Sequence, residues 1–111
     1  MDELTRALLT KIIYRANRII RYVSGCSLEM FLDNEMAQDG VCMNLLNIGE
    51  LVKQLPQSVR QQYADIPWKK ITGLRDITAH GYDSLRINDI WGTATKDVPV
   101  LICRIKTILE E

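Results

Sequence analysis

The stretch "GLRDITAHGYD", residues 73–83, gathers the chain's single histidine with an arginine five positions earlier and a tyrosine two positions later. Arg75 carries a planar guanidinium suited to clamping a phosphate, and His80 can move a proton near neutral pH. Together they form a minimal kit for cutting RNA. The 2′-hydroxyl would attack the adjacent phosphate, His80 would serve as base or acid, and Arg75 would stabilise the charge that develops on the oxygens. The implied product is an end carrying a 2′,3′-cyclic phosphate. Asp76, four positions before His80, would share its helical face, and a carboxylate beside an imidazole at a helix C-terminus favours the protonated ring.

Geometry sets a condition on this kit. Each residue of a helix turns about 100°, so Arg75 and His80 point about 140° apart on a straight helix and cannot cooperate across one face. Either the helix ends at His80 and lets its side chain swing back, or the pair meets its copy from a second chain. The structural alternative is equally concrete: a histidine at a helix end serves as a cap or a buried polar residue, and Tyr82 after the helix stop is an amphipathic plug with its hydroxyl in water. One histidine and scattered acids do not assemble a metal-ligand set, so no metal is expected.

A second candidate lies on the first predicted helix, where Lys11, Arg15 and Arg18 share one face at i, i+4 and i+7, with Arg6 and Arg21 nearby. Such a stripe suits an RNA backbone, or is simply a solvated face. Glu29, Asp33, Glu35 and Asp39 make the start of the second helix acidic, ready to pair with that stripe or with a basic partner.

The elements that must position these residues read as helices. Leu4, Leu8, Ile12, Ala16, Ile19 and Val23 form one stripe over roughly residues 2–24, widened by Leu9, Ile13 and Ile20, and "SGCS" ends it. Ser27 is the expected N-cap of a long second helix reaching Leu55, with a weak point at Asp39–Gly40. On its second half Val41, Leu45, Ile48, Val52 and Leu55 alternate steps of four and three, the face that packs on a partner helix or a second subunit. "PQSVRQQYA" reads as a short helical turn. "DIPWKKITGLRDITAH" starts with helix-opening chemistry, carries Ile71, Leu74 and Ile77 inward, and stops at Gly81. A last helix over about residues 88–110 is kinked or divided by Pro99 and continues with Val100, Leu101, Ile105, Ile108 and Leu109. The fold class is all-α: an antiparallel bundle of about five helices, residues 1–111 forming one domain.

Composition bounds the partners. With 111 residues and 47% hydrophobic content the chain can bury a core without staples. Fourteen basic residues cancel fourteen acidic ones, so no global field draws it to nucleic acid or an anionic membrane, and a polyanion must be met by a local patch. Cys26, Cys42 and Cys103 are odd in number and lack paired spacing, which fits a reduced compartment. The acidic start "MDELTRALL" is unlike a signal peptide, and the apolar run "VPVLIC" is too short to span a bilayer. A cytoplasmic protein without membrane contact is expected.

These residues also carry a resemblance. "RDITAHGY" resembles the R-x4-H-x-Y signature of HepT-type toxins, prokaryotic members of the HEPN group of small helical proteins. "NIGELVKQLP" at 47–56 is similar to that family's Ile-Gly-Glu segment, and "IPWKKITGLRD" to its Pro-Trp segment leading into the signature. "SLEMFL" at 27–32 and "QDGVCMNLL" at 38–46 also fall where the family has similar stretches, so most of the chain is covered. The resemblance implies a homodimer in which Arg75 and His80 of both copies face a shared cleft, which would resolve their angular separation. It implies an RNA-cleaving toxin paired with an MNT-type nucleotidyltransferase antitoxin, which uses ATP to place AMP on Tyr82; the toxin itself needs no cofactor. Two residues depart from the pattern: Asp76 stands where the family often has Asn, and Gly40 where an alanine-like residue is usual. A different class of function stays open beside this one, a non-catalytic dimeric module that binds a nucleotide or RNA or positions a nucleotidyltransferase.

Overall fold

The computed structural model describes residues 1–73 and 84–111. Its elements are α1 (Glu3–Val23), α2 (Leu28–Leu32), α3 (Glu35–Gln54), α4 (Gln57–Gln62), α5 (Trp68–Gly73), α6 (Ser84–Gly92), a π-helical segment (Thr93–Asp97) and α7 (Val98–Glu110). The architecture is all-α, with no strand among the described residues.

The first helix starts where chemistry demands. The Asp2 carboxylate accepts from the Thr5 amide at 2.7 Å, and that bond holds its pKa below the ordinary carboxylate value. It ends at Gly25, whose φ of +72° lies in the left-handed region that a side chain would oppose. Leu8, Leu9, Ile12, Ala16, Ile19 and Val23 are buried as the stripe predicts. Leu4 is not: it is 65% exposed, because Thr5, Leu8 and Leu9 take the inward positions at this end of the helix.

The long second helix is two helices. The Ser27 hydroxyl caps α2 by accepting from the Met30 amide at 3.2 Å. The break comes at Asp33–Asn34 and not at Asp39–Gly40, because the Asn34 side chain caps α3 on the Ala37 amide at 3.0 Å. Buried Gln38 then reaches back, donating to the carbonyls of Phe31 at 2.8 Å and Leu32 at 3.1 Å and so satisfying the end of α2. Gly40 sits inside continuous helix against the Tyr22 ring: a Cβ there would stand 3.1 Å from a ring carbon.

Helix α1 packs along α3 and α7. Tyr22 lies beside Gly40, Arg15 bonds Asn44, and Lys11 faces Gln54, so α1 and α3 run antiparallel. Val41, Leu45, Ile48, Val52 and Leu55 are all buried within this chain. Arg6 donates to the Leu109 carbonyl at 3.1 Å, which ties the end of α7 to the start of α1. Ile12, Ile19, Ile48, Leu101, Ile105 and Ile108 are fully buried, and each such side chain contributes about 1.5–3 kcal/mol.

The last helical stretch begins at Ser84, earlier than expected, and divides as Pro99 requires. The division is a π segment just upstream of the proline, whose wider turn takes up the missing amide and the ring's bulk. Val100 is 49% exposed, since Leu101 takes the inward position. Phe31 and Trp91, with ring centroids 5.1 Å apart, join α2 to α6. Among the described residues no helix is long and apolar enough to cross a membrane, and Cys26, Cys42 and Cys103 form no disulfide.

Candidate functional site

Arg75, Asp76, His80 and Tyr82 lie outside the described residues, as do Leu74, Ile77 and Gly81. What the structure does describe is the frame on either side of them. Helix α5 leads in and is held firmly: Ile71 is fully buried, and the indole N–H of buried Trp68 donates to the Tyr63 carbonyl at 3.1 Å. It crosses α3 closely, with the Thr72 Cα 3.8 Å from where a Cβ on Gly49 would sit. Thr72, three positions before Arg75 in sequence, thus lies beside Gly49, within the Ile-Gly-Glu segment of α3.

The basic stripe of α1 is not one uniform surface. Lys11 and Arg15, with Tyr14, line a cavity of about 440 Å³ whose α3 wall carries Asn47, Glu50 and Gln54. Arg18 does not line it. One terminal nitrogen donates to the Tyr14 hydroxyl at 3.3 Å and the other to the Tyr22 hydroxyl at 3.0 Å, with the guanidinium 5.8 Å from the Tyr14 ring centroid. The bond from Arg18 lowers the Tyr14 pKa, and the two hydroxyls raise that of Arg18. Arg15 donates to the Asn44 side chain at 3.4 Å, and Asn44 in turn donates to the Gly40 carbonyl at 2.7 Å. Glu29, Asp33, Glu35 and Asp39 are all exposed, and among the described residues none pairs with α1.

A denser set of cations lies at the corner between α4 and α5. Arg60, Lys69 and Lys70 line a cavity of about 540 Å³ together with Gln57, Gln61 and Trp68. Sequence reasoning passed over this group, because its members belong to two helices that only the fold brings together; the doublet Lys69-Lys70 after Pro67-Trp68 was the one local signal. Among the described residues, no group of three or more His, Cys, Asp or Glu side chains is placed to hold a metal ion.

Residues 12–108 match the family described as Ribonuclease HepT-like. The chain belongs to the Ribonuclease HepT-like family. It is 34% identical over 106 residues to "Putative RNase TTE0752" of Caldanaerobacter subterraneus subsp. tengcongensis, covering 96% of this chain and 95% of that one. It is 32% identical over 106 residues to "Putative RNase MJ0127" of Methanocaldococcus jannaschii, 96% of this chain and 88% of the relative. "Probable ribonuclease HepT" of Thermococcus cleftensis is 32% identical over 73 residues, 66% of either chain. No solved structure matches. The HepT-like match includes every residue of the signature and both helices that frame it.

Proposed function

We propose that this chain is a metal-independent endoribonuclease and the toxin of a toxin–antitoxin pair. The reading is carried by the HepT-like match across residues 12–108, which contains Arg75, His80 and Tyr82 in the R-x4-H-x-Y arrangement; the relatives' names as RNases support it. In this reading, which follows the family resemblance, two copies of the chain pair so that both Arg75–His80 sets face one cleft, an arrangement that would also answer the roughly 140° separation the two residues would have on one straight helix. In that cleft His80 takes the 2′-hydroxyl proton, and the 2′-oxygen bonds to phosphorus. The bond from phosphorus to the 5′-oxygen breaks, and the leaving oxygen takes up a proton. Arg75 holds the anionic phosphate throughout. Asp76 supports the site by stabilising the imidazolium that forms when His80 takes the 2′-hydroxyl proton, while its own charge repels the substrate.

Control rests on Tyr82. A nucleotidyltransferase partner directs the Tyr82 oxygen onto the α-phosphorus of ATP, the α–β phosphate bond breaks, pyrophosphate leaves and the phenolic proton is lost. The AMP adduct, two residues from His80, then excludes RNA by bulk and by charge.

The test is cleavage of RNA by purified protein in EDTA, after mass spectrometry has established that Tyr82 carries no AMP. Cutting by the wild type and its loss in His80→Ala are expected. Intact RNA, or equal cutting by the variant, overturns the assignment, and binding without cutting favours the non-catalytic module.

A further inference from the structure

We infer that the cavity at the α4–α5 corner is an RNA subsite that holds one nucleotide of the substrate strand. The inference rests on the ribonuclease reading above but names residues outside the signature.

Four observations carry it. The cavity, about 540 Å³, is of a size that takes a nucleotide. Arg60, Lys69 and Lys70 stand on its wall, and none of the described residues lining it carries a carboxylate. In a chain with no net charge, that is a concentrated cationic site. The nearby acid of the α4–α5 connection, Asp65, does not line the cavity and is paired with a cation: Arg104 of α7 donates to it at 2.6 Å and 3.4 Å. Arg60 is half-buried, and its Nε is buried yet donates to nothing among the described residues. A buried donor left in this state calls for an acceptor, which a phosphate oxygen supplies.

The rest of the cavity suits the rest of a nucleotide. Ala64, Ile66 and Pro67 give it an apolar side for a base or sugar, while Gln57 and Gln61 offer amides to a base edge. The cavity on the other side of Lys70, about 410 Å³, is a poorer anion site because Asp89 and Asp97 line it. Chain length sets an upper limit on the distance to Arg75. Lys70 is five Cα steps from Arg75, so the two Cα atoms lie within about 19 Å whatever path the chain takes. A strand cut at the signature therefore reaches this cavity within a few nucleotides, and the subsite would make cutting depend on RNA longer than the scissile step.

The experiment titrates the full chain with a single-stranded 2′-O-methylated oligonucleotide, which keeps the phosphates but has no nucleophile to be cut. Fluorescence anisotropy over a range of salt gives Kd and its salt slope. The double variant Lys69→Gln, Lys70→Gln is expected to weaken binding about tenfold and to flatten the salt slope by roughly one to two counterions. Arg60→Gln should weaken it as well, and Arg60→Lys only partly rescues because the Nε donor is gone. With cleavable RNA the same variants raise KM more than they lower kcat. Unchanged Kd and slope in variants whose circular dichroism matches the wild type overturn the subsite. So does retained RNA affinity with lost binding of the nucleotidyltransferase, which would assign the cavity to an acidic protein. The two readings fail separately: wild type that cuts RNA while the variants bind and cut normally sinks only the subsite. Wild type that binds through these residues but never cuts sinks only the ribonuclease.

Discussion

Arg104 grips Asp65 at two points, Nε to one carboxylate oxygen at 2.6 Å and Nη2 to the other at 3.4 Å, tying the α4–α5 connection to α7 across 39 residues of sequence. The bond from Arg104 lowers the Asp65 pKa below its ordinary 3.8 and raises that of Arg104. A carboxylate whose folded pKa is depressed contributes stability that is fully present above the unfolded value and is lost as pH falls through the folded one. The contribution is modest, since Asp65 is 57% and Arg104 33% exposed. Asp65→Asn should therefore lower the urea midpoint slightly at neutral pH. The two proteins should start to converge as pH falls through 3.8 and meet only below the lowered folded pKa. A difference that persists unchanged into acid would show that the pair is not the cause.

Two glycines of α3 make opposite use of their missing side chain. A Cβ on Gly49 would meet Thr72 at 3.8 Å, an ordinary contact, whereas one on Gly40 would press on the Tyr22 ring at 3.1 Å. Both substitutions to alanine gain about 0.5–1 kcal/mol of helix propensity. Gly49→Ala should keep that gain. Gly40→Ala should lose part of it by displacing Tyr22 from Arg18, an event visible in the tyrosine ring signals by NMR. Equal denaturation midpoints for the two variants would contradict the contact geometry.

Gln38 is buried and closes the corner between α2 and α3 with two hydrogen bonds to the carbonyls of Phe31 and Leu32. Gln38→Ala removes the amide donor from the Leu32 carbonyl, while the Phe31 carbonyl keeps the Asn34 amide at 3.2 Å, and should cost about 1–3 kcal/mol in equilibrium unfolding. A cost near that of a surface substitution would mean that water replaces the amide.

This corner also shows where sequence reasoning reached and where it stopped. Ile12, Ala16 and Ile19 on α1, and Val41, Leu45 and Ile48 on α3, are legible because helical period is a local property, and the Ser27 cap needs only its own turn. The break at Asn34 is only partly legible: Asn34 is a capping residue within its own turn, but propensity points at Gly40, and the contacts that favour Asn34, Gln38 reaching back seven residues and Tyr22 packed against Gly40, are not local. Pro99 announces a division, but nothing in the local sequence announces that it takes the form of a π segment over Thr93–Asp97. Of the candidate site, the signature was legible as a motif and falls outside the described residues. The cations Arg60, Lys69 and Lys70 were invisible as a group, because charge proximity across a helix corner is tertiary.

The sharpest functional prediction separates catalysis from control. His80 and Tyr82 are two positions apart, yet they are assigned different duties: proton transfer and acceptance of AMP. His80→Ala should lower the cleavage rate by about 10²–10⁴-fold, the usual worth of a positioned acid or base. Tyr82→Phe removes only the hydroxyl that would bond to the α-phosphorus of ATP, so RNA cleavage should survive. Co-incubation with ATP and the nucleotidyltransferase should then silence the wild type, with a mass increase of one adenylyl group on Tyr82, and leave Tyr82→Phe both unmodified and cutting. If Tyr82→Phe is silenced as well, control acts at another residue. If it no longer cuts RNA before any partner is added, the tyrosine belongs to the cleavage chemistry and the division of labour between the two residues is wrong.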